Sequence, residues 1–270
     1  MLSGIGEPEE LKHVGIQTKI PLPGVGKNLQ DHLFFPCSAS SKMQNGLNHH
    51  LSLANQLIGI VKIFTTGKGA LTAGPLEATA FFDTNGGQNV DFQFHFVPLQ
   101  TGNDYSLDFY DIKTFPRQDG FIILPSLIQP KSVGHIKLAS ADPKAAPLIQ
   151  PNFLSHPEDW ETMLKGTKKA MEALKASAFG PHRNQILTPL DESEEGLIRH
   201  IKKSVETIYH PVGTCKMGSD EMAVVDEKLC VHGVGKLRVV DASIMPKIVS
   251  GNTNAAAIMI GEKGADMILS

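Results

Sequence analysis

An alternating run of phenylalanines predicts an antiparallel β-sheet in the middle of this chain. In residues 92–97 the sequence FQFHFV places an aromatic side chain at every second position, and a period of two puts those side chains on one face of a strand. The stretches 120–128 and 133–139 are also strand-like and are flanked by proline and glycine. We therefore expect these three segments to form strands of one sheet.

Two amphipathic helices are predicted after the sheet. The first follows Pro157, and the second follows Asp191 and Glu194. Their apolar faces recur at spacings of three and four and comprise Trp160, Met163, Leu164, Thr167, Met171 and Leu174 in the first and Leu197, Ile198, Ile201 and Val205 in the second. We expect these helices to cover the sheet, which gives an α+β fold class with an antiparallel sheet and covering helices.

The N-terminal part predicts shorter elements. Residues 1–32 indicate a helix from Pro8 to about Val14, followed by a connection rich in proline and glycine, IPLPGVGKNLQDH. In 51–66 an apolar stripe recurs at spacings of three and four until Gly67-Lys68-Gly69, which predicts an amphipathic helix. We expect that stripe, formed by Leu53, Leu57, Ile60 and Phe64, to pack inward.

The C-terminal part has a different character. Leu237 to Val240 is a short apolar run that predicts a buried strand ending at Asp241. Ala255 to Leu269 predicts a helix that begins after the polar loop Gly251-Asn252-Thr253-Asn254. A strand, a polar loop and a helix N-terminus in succession are suited to binding an anionic or electron-rich group.

Charge and cysteine content exclude several classes of function. A net charge of -3 and a pI of about 6.4 provide no broad cationic surface, so we expect no nucleic-acid partner. No apolar stretch is long enough to span a bilayer, and the first residues lack the pattern of a signal peptide. Cys37, Cys215 and Cys230 show no C-x-x-C pair, so the cysteines leave the redox compartment open, and localisation is unknown.

The segment HPVGTCKMG carries the candidate catalytic residue His210. This histidine follows a predicted helix and precedes a turn built from proline and glycine, which can hold an imidazole rigidly. An unperturbed histidine has a pKa of about 6.5, so it can accept a proton from an alcohol hydroxyl at neutral pH. The alternative is a structural histidine held by hydrogen bonds.

Both ends of the chain resemble one enzyme family. HPVGTCKMG and the residues that follow it, from VVDEKLCVHGVGKLRVVDASIMPKIVSGNTNAAAIMIGEKGADMI, resemble the C-terminal signature of the glucose-methanol-choline oxidoreductases. The opening LSGIG and the segment PGVGKNLQDH at 23–32 resemble a second signature region of these enzymes. In 67–82, GKGALTAGPLEATAFF is most similar to the insect glucose dehydrogenase-like branch.

The resemblance implies a cofactor and site residues. In this family FAD accepts hydride from an alcohol carbon, while a histidine takes the hydroxyl proton and a second histidine or an asparagine hydrogen-bonds the alkoxide. Here these catalytic roles correspond to His210 and Asn252, and an amide can donate to an alkoxide without titrating. The implied cofactor-binding residues are Asp241, Ala242, Thr253 and Asn254. No metal ligand is implied.

Structural roles stand beside these functional ones. Asn252 can cap a helix as well as bind substrate, and Asp241 can be a turn residue at the end of a strand. In the family the stretch that contains Asp31 and His32 runs along the cofactor, but a purely structural role for these two residues is an equal alternative. The chain has Ala255-Ala256 where family members often have alanine followed by proline.

No G-x-G-x-x-G motif occurs in the sequence. We therefore expect a C-terminal fragment of such an enzyme that lacks the Rossmann half, binds FAD poorly alone and tends to aggregate. The expected domains are 1–34 as a remnant of the FAD-binding domain, 35–205 as the substrate domain, and 206–270 as the return to the FAD-binding domain with the catalytic motifs.

The expected partners are small molecules. They are an alcohol or sugar substrate and an electron acceptor, either quinone-like or oxygen; the particular alcohol is left open, and dehydrogenase is preferred to oxidase. The alternative function is a non-catalytic binding or regulatory module that kept the substrate domain. A histidine-based metal hydrolase is a poor third possibility, because the histidines show neither H-E-x-x-H nor clustered ligand spacing.

Overall fold

The computed structural model describes residues 1–72 and 74–269. Ala73, within the 67–82 stretch, and Ser270, at the end of the predicted 206–270 domain, lie outside the described residues. The helices are α1 (Pro8–His13), α2 (Leu53–Thr66), α3 (Pro157–Lys175), α4 (Glu194–Ser204) and α5 (Asn254–Leu269). The strands are β1 (Ile5–Gly6), β2 (Ile20–Pro21), β3 (Leu33–Phe34), β4 (Cys37–Ser41), β5 (Ala78–Phe82), β6 (Phe92–Val97), β7 (Gly120–Leu127), β8 (His135–Lys137), β9 (Leu148–Gln150), β10 (Arg183–Thr188) and β11 (Glu206–Thr207).

The described residues form two compact units. The first unit comprises 1–32, 128–159 and 207–269, and the second comprises 33–127 and 160–206. Each unit is therefore assembled from segments that are distant in the sequence.

The second unit is built on an antiparallel sheet centred on β7. One edge of β7 pairs with β4 and β3 in succession, and the other edge pairs with β6, which in turn pairs with β5. Strand β10 pairs with β4. Every residue of β7 is buried, as expected of a strand flanked on both edges. The predicted strands at 92–97 and 120–128 are confirmed as β6 and β7.

Helices α3 and α4 supply apolar faces to this unit. Met163 and Leu174 of α3 and Leu197 and Ile201 of α4 are almost completely buried. Helix α3 approaches the sheet closely at Gly166, where an added Cβ atom would lie 2.2 Å from the ring of Phe92. The two predicted helices and the α+β class are confirmed.

Helix α2 corrects one prediction. It ends as expected at Gly67, which adopts the left-handed conformation with φ of 65°. However, no residue of this helix is buried, and Phe64 is 86% exposed. The prediction that its stripe packs inward is wrong for the described residues, because periodicity identifies the apolar face of a helix but not what covers that face.

The first unit has its own apolar core. Its buried members come from the segment after β2, from the loops between 212 and 231, from 244–248 and from α5, and they are Leu22, Val212, Val224, Val225, Leu229, Val231, Ile244, Met245, Ile248 and Ile260. In this unit β1 and β2 are parallel, and β8 and β9 are antiparallel. The strand predicted at 133–139 is present only as the shorter β8. It pairs with β9 in a separate sheet, so the prediction that it shares one sheet with β6 and β7 is wrong.

Residues 237–240 correct a second prediction. Leu237 is 40% exposed, and the segment contributes only an isolated bridge between Arg238 and Cys230 instead of a buried strand. Its main chain is hydrogen-bonded to turns: Val231 N donates to Leu237 O, and Val239 N donates to Leu229 O. A four-residue apolar run is too short for its pattern to distinguish a strand from such a loop.

Helix α5 confirms the predicted C-terminal helix. Ala257 N donates to Thr253 O, so the helical ladder starts directly after the polar loop 251–254. Within residues 1–72 and 74–269, no helix combines the length and the apolar character needed to cross a membrane.

Candidate active site

A bond network centred on Gln30 connects the loops that carry the candidate site in the first unit. Gln30 and Val212 exchange two main-chain hydrogen bonds, of 3.0 and 2.9 Å. The buried side chain of Gln30 donates to Pro246 O at 3.1 Å and accepts from Ile248 N at 3.1 Å. Gln30 therefore joins the loop after His210, through its main chain, to the loop before Asn252, through its side-chain amide.

The turn at Gly213 shows why the sequence has glycine after Val212. Gly213 has φ of +94°, and an added Cβ atom would lie 2.3 Å from the carbonyl oxygen of Asn28. A side chain at this position would be strained and would also clash. Asn28 donates through Nδ2 to Gly213 O and to Pro246 O, which places the two site loops side by side.

Asp31 holds the main chain at the candidate catalytic histidine. Its Oδ1 accepts from His210 N at 2.9 Å, and its Oδ2 accepts a short hydrogen bond from Thr207 Oγ1. Asp31 is 9% exposed, and burial raises the pKa of its carboxyl group although hydrogen bonds from Thr207 and His210 oppose that shift. The carboxylate thus fixes the backbone of His210 and supplies negative charge near its ring.

The His210 ring lies between a second histidine and an amide. Its Nδ1 is 3.0 Å from Nδ1 of His32, with the two rings edge to face, and its Nε2 is 3.5 Å from Nδ2 of Asn252. Burial lowers the pKa of His210, and the charge of Asp31 opposes this shift. The imidazole is therefore mainly neutral at pH 7 and can accept a proton.

The predicted catalytic residues His210 and Asn252 are thus brought together in space. Two atoms 3.5 Å apart can both reach one oxygen atom at hydrogen-bonding distances of about 2.7–3.2 Å. A hydroxyl between them could donate its proton to His210 and receive a hydrogen bond from Asn252. This arrangement suits removal of a proton from an alcohol.

Asn252 belongs to the loop that leads into α5. Thr253 is buried, and Asn252 and Asn254 are exposed. The first amide groups of a helix lack intrahelical partners and carry partial positive charge. The exposed start of this helix therefore lies in sequence directly beside the residue that faces His210.

The predicted cofactor-binding residues Asp241 and Ala242 lie on a turn attached to the same loop system. The exposed Asp241 accepts from Ser243 N at 2.8 Å and caps a short 3-10 turn, Ala242–Ile244. Gly213 N donates to Ala242 O at 3.4 Å. Asp241 is therefore a turn residue with an exposed side chain.

The segment Gln30-Asp31-His32 contributes more to the site than its sequence predicts. These three consecutive residues brace the site through three different groups: the Gln30 amide, the Asp31 carboxylate and the His32 ring. The available signal was PGVGKNLQDH, in which polar side chains follow a turn rich in proline and glycine. Its partners are about 180 residues further along the chain, so spacing alone could not identify them.

Residues 130–261 match the family model described as GMC oxidoreductase. The matched range contains His210, Asn252 and the turn at Asp241. The matched range is just under half of the chain, and the chain is similar to this family over that range. This family binds FAD.

Individual proteins resemble the whole chain. Alcohol dehydrogenase (acceptor) of Pseudomonas putida is 39% identical over 283 residues, which cover 100% of this chain and 48% of that protein. Oxygen-dependent choline dehydrogenase of Rhizobium meliloti (strain 1021) is 38% identical over 274 residues, with 100% and 49% covered. A structure of Aspergillus oryzae RIB40 formate oxidase, solved to study FAD modification, is 28% identical with a TM-score of 0.87, and 99% of this chain and 51% of that chain are covered.

The chain therefore spans about half the length of the curated relatives it matches. Its described residues fit one part of a flavin cofactor. The exposed helix start directly after Asn252 offers main-chain N–H groups, which suit an electron-rich ring. The branch predicted from 67–82 is not identified by these comparisons.

Proposed function

We propose that this chain supplies the acid-base half of an FAD-dependent oxidoreductase that acts on CH-OH groups. The observation that carries the proposal is the pairing of a neutral His210 Nε2 with the Asn252 amide at 3.5 Å. Such a pair offers one proton acceptor and one non-titrating donor to the same hydroxyl oxygen.

The chemistry assigned to the chain is proton removal. His210 Nε2 accepts the hydroxyl proton, and the N–H of Asn252 stabilises the negative charge that develops on oxygen. FAD, when bound, supplies the acceptor for the hydride that leaves the carbon. The alcohol would thus lose its hydroxyl proton to His210 and a hydride from its carbon to the acceptor that FAD would supply, which leaves a carbonyl compound.

We further propose roles for the residues near the start of α5. Main-chain groups at Thr253 and Asn254, with Asp241 and Ala242, would hold the flavin ring, and the positive end of the 16-residue helix favours negative charge on it. Residues 1–34 and 206–270 would then belong to the FAD-binding domain and 35–205 to the substrate domain. The dinucleotide part of FAD requires a Rossmann unit, whose G-x-G-x-x-G motif is not in this sequence.

A finer substrate assignment rests on sequence resemblance. The stretch 67–82 supports a glucose dehydrogenase-like enzyme that uses a quinone-like acceptor in preference to oxygen. The relatives are named for alcohol, choline and formate. Anaerobic reduction by a panel of primary alcohols, choline and sugars, followed by reoxidation with a quinone or with oxygen, distinguishes these assignments.

The proposed function is tested on the flavin-loaded protein in its full natural length. An alcohol added without oxygen should bleach the visible flavin band, and His210→Asn should slow this step by roughly 10²–10⁴-fold, as expected for loss of a general base. Asn252→Ala should slow flavin reduction by roughly 10²–10³-fold. Asn252→His keeps a hydrogen-bond donor and should slow flavin reduction by a smaller factor.

Two outcomes would contradict the proposal. Unchanged reduction in His210→Asn would remove the histidine from the reaction. A protein that retains no flavin would instead favour the binding or regulatory module. The exposed His13, also in the first unit, provides the matched control His13→Asn, which should leave the rate unchanged.

A further inference from the structure

We propose that His32 is a positioning residue that selects the tautomer of His210 in which Nε2 is free to accept the substrate proton. This inference rests on the proposed function for its catalytic meaning. Its structural content concerns only hydrogen positions on two rings, and these can be measured separately.

The environment of His32 fixes the proton on its Nε2. This atom is 3.1 Å from Ile128 O and 3.1 Å from Val249 O. Carbonyl oxygens only accept hydrogen bonds, so Nε2 must carry the hydrogen and donate it. His32 is 1% exposed, and an unprotonated Nε2 at this position would direct its lone pair at two carbonyl oxygens, which cannot donate to it.

The His32 ring is also neutral. Burial, together with the charge of a protonated His210, lowers its pKa to about 4, although the hydrogen bonds to Ile128 O and Val249 O oppose this shift. A neutral imidazole has one N–H, and in His32 that hydrogen is already on Nε2. Its Nδ1 therefore has a lone pair and can only accept.

The contact between the rings then determines the state of His210. The two Nδ1 atoms are 3.0 Å apart, a hydrogen-bonding distance, and since His32 Nδ1 accepts, His210 Nδ1 must donate. A neutral His210 that carries its hydrogen on Nδ1 leaves Nε2 bare. That bare nitrogen is the atom 3.5 Å from Asn252 Nδ2. The other tautomer of His210 would place two lone pairs against each other.

Like a catalytic triad, this arrangement selects one tautomer of the catalytic histidine, but a different group accepts from its Nδ1–H. In serine proteases a carboxylate accepts from the Nδ1–H of the catalytic histidine, and loss of the correct tautomer lowers kcat by roughly 10⁴-fold. Here a neutral histidine is the acceptor, and the carboxylate of Asp31 binds the backbone N–H of His210 instead. His32 therefore orients the catalytic base but does not take its proton. The negative charge that acts on His210 belongs to Asp31.

The first experiment reads the tautomers directly. In the flavin-loaded, full-length protein labelled with ¹⁵N-histidine, long-range ¹H–¹⁵N correlation spectra above the pKa of His210 should show a protonated Nδ1 and a bare Nε2 for His210. They should show the reverse pattern for His32. A protonated Nε2 on His210 would overturn the inference whether or not the protein oxidises any alcohol.

Two variants of His32 test the selection. His32→Leu removes the acceptor, and we expect a mixture of His210 tautomers and a fall in the limiting rate of flavin reduction of roughly 10²-fold or more, with KM for the alcohol little changed. His32→Asn keeps an acceptor oxygen near Nδ1 and should recover most of the rate and the wild-type tautomer. Wild-type tautomer populations and rate in His32→Leu would refute the selection.

The proposed function and the tautomer selection by His32 can fail independently of each other. If the wild type shows the expected tautomers but no alcohol reduces its flavin, the proposed function fails and the pairing of the rings stands. If His32→Leu does not fold, the decision falls to the wild-type spectrum and to His32→Asn, which must keep the Nδ1–H tautomer of His210 for the inference to survive.

Discussion

At the scale of single residues, the site is determined by which hydrogen each polar group carries. Asp31 and His32 are adjacent in the sequence, and they hold the backbone and the ring of the same histidine. Motif resemblance could indicate His210 and Asn252, but the bonds that orient them depend on chain segments about 180 residues apart. Single-sequence patterns contain no information on such long-range pairings.

Asp31→Asn should lower the pKa of His210 further. The Asp31 charge stabilises the protonated ring and opposes the effect of burial, so its removal leaves burial less opposed. The acid limb of the rate of flavin reduction, which requires neutral His210, should therefore move to lower pH. The measurement is the pH dependence of that rate or an NMR titration of His210.

The Asp31→Asn variant is nearly isosteric with the wild type. The amide oxygen that it introduces can still accept from His210 N, so the loop should persist. Asp142, which is exposed and accepts from Lys144 N in a local turn, provides the control Asp142→Asn with no shift expected. An acid limb that moves to higher pH in Asp31→Asn would show that the carboxylate does not favour the charged ring.

At the scale of elements, periodic sequence patterns predicted the strands β6 and β7 and the helices α3, α4 and α5. They succeeded where a pattern extended over many residues and one face was buried. They failed for the four-residue run 237–240 and for the buried face expected of α2, whose Phe64 is 86% exposed. In both cases the outcome depends on which other segment packs there, and hydropathy along one segment does not contain that information.

Gly166→Ala in α3 should destabilise the second unit although alanine is the better helix former. Propensity favours alanine by up to about 1 kcal/mol in a helix interior. Against this, the new Cβ atom would lie 2.2 Å from the ring of the fully buried Phe92, and such overpacking costs roughly 1–3 kcal/mol. The denaturant midpoint should therefore fall.

Gly261→Ala in α5 is the matched substitution. Gly261 is exposed, and no heavy atom of the described residues lies within 4 Å of its added Cβ atom, apart from its chain neighbours and its own helix backbone. Gly261→Ala should raise the denaturant midpoint or leave it unchanged, since the higher helix propensity of alanine is the only effect expected. If both variants shift the midpoint in the same direction, close packing of α3 on β6 is not what requires glycine at 166.

At the scale of the whole molecule, each of the two units contains a buried histidine whose Nε2 lies within hydrogen-bonding distance of a main-chain carbonyl. His32 belongs to the first unit, and His200 belongs to the second. His200 accepts from Tyr105 Oη at 2.9 Å and donates from Nε2 to Pro36 O at 2.9 Å. Burial lowers the pKa of each to about 4, so both rings are neutral at pH 7.

We expect the free energy of unfolding of both units to fall between pH 6.5 and about 4. In this window the unfolded histidines bind protons and the folded ones do not, so acid favours the unfolded state; above pH 6.5 the stabilisation is complete. A pKa lowered to about 4 corresponds to a loss of up to about 3 kcal/mol for each histidine by the acid end of the window.

A variant of His200 tests this expectation. His200→Gln keeps a donor for Pro36 O and should make the urea midpoint of the second unit less dependent on pH. The control His13→Gln, at an exposed position of α1, should leave that dependence unchanged. A pH-independent midpoint in the wild type would mean that these rings accept protons without loss of the fold.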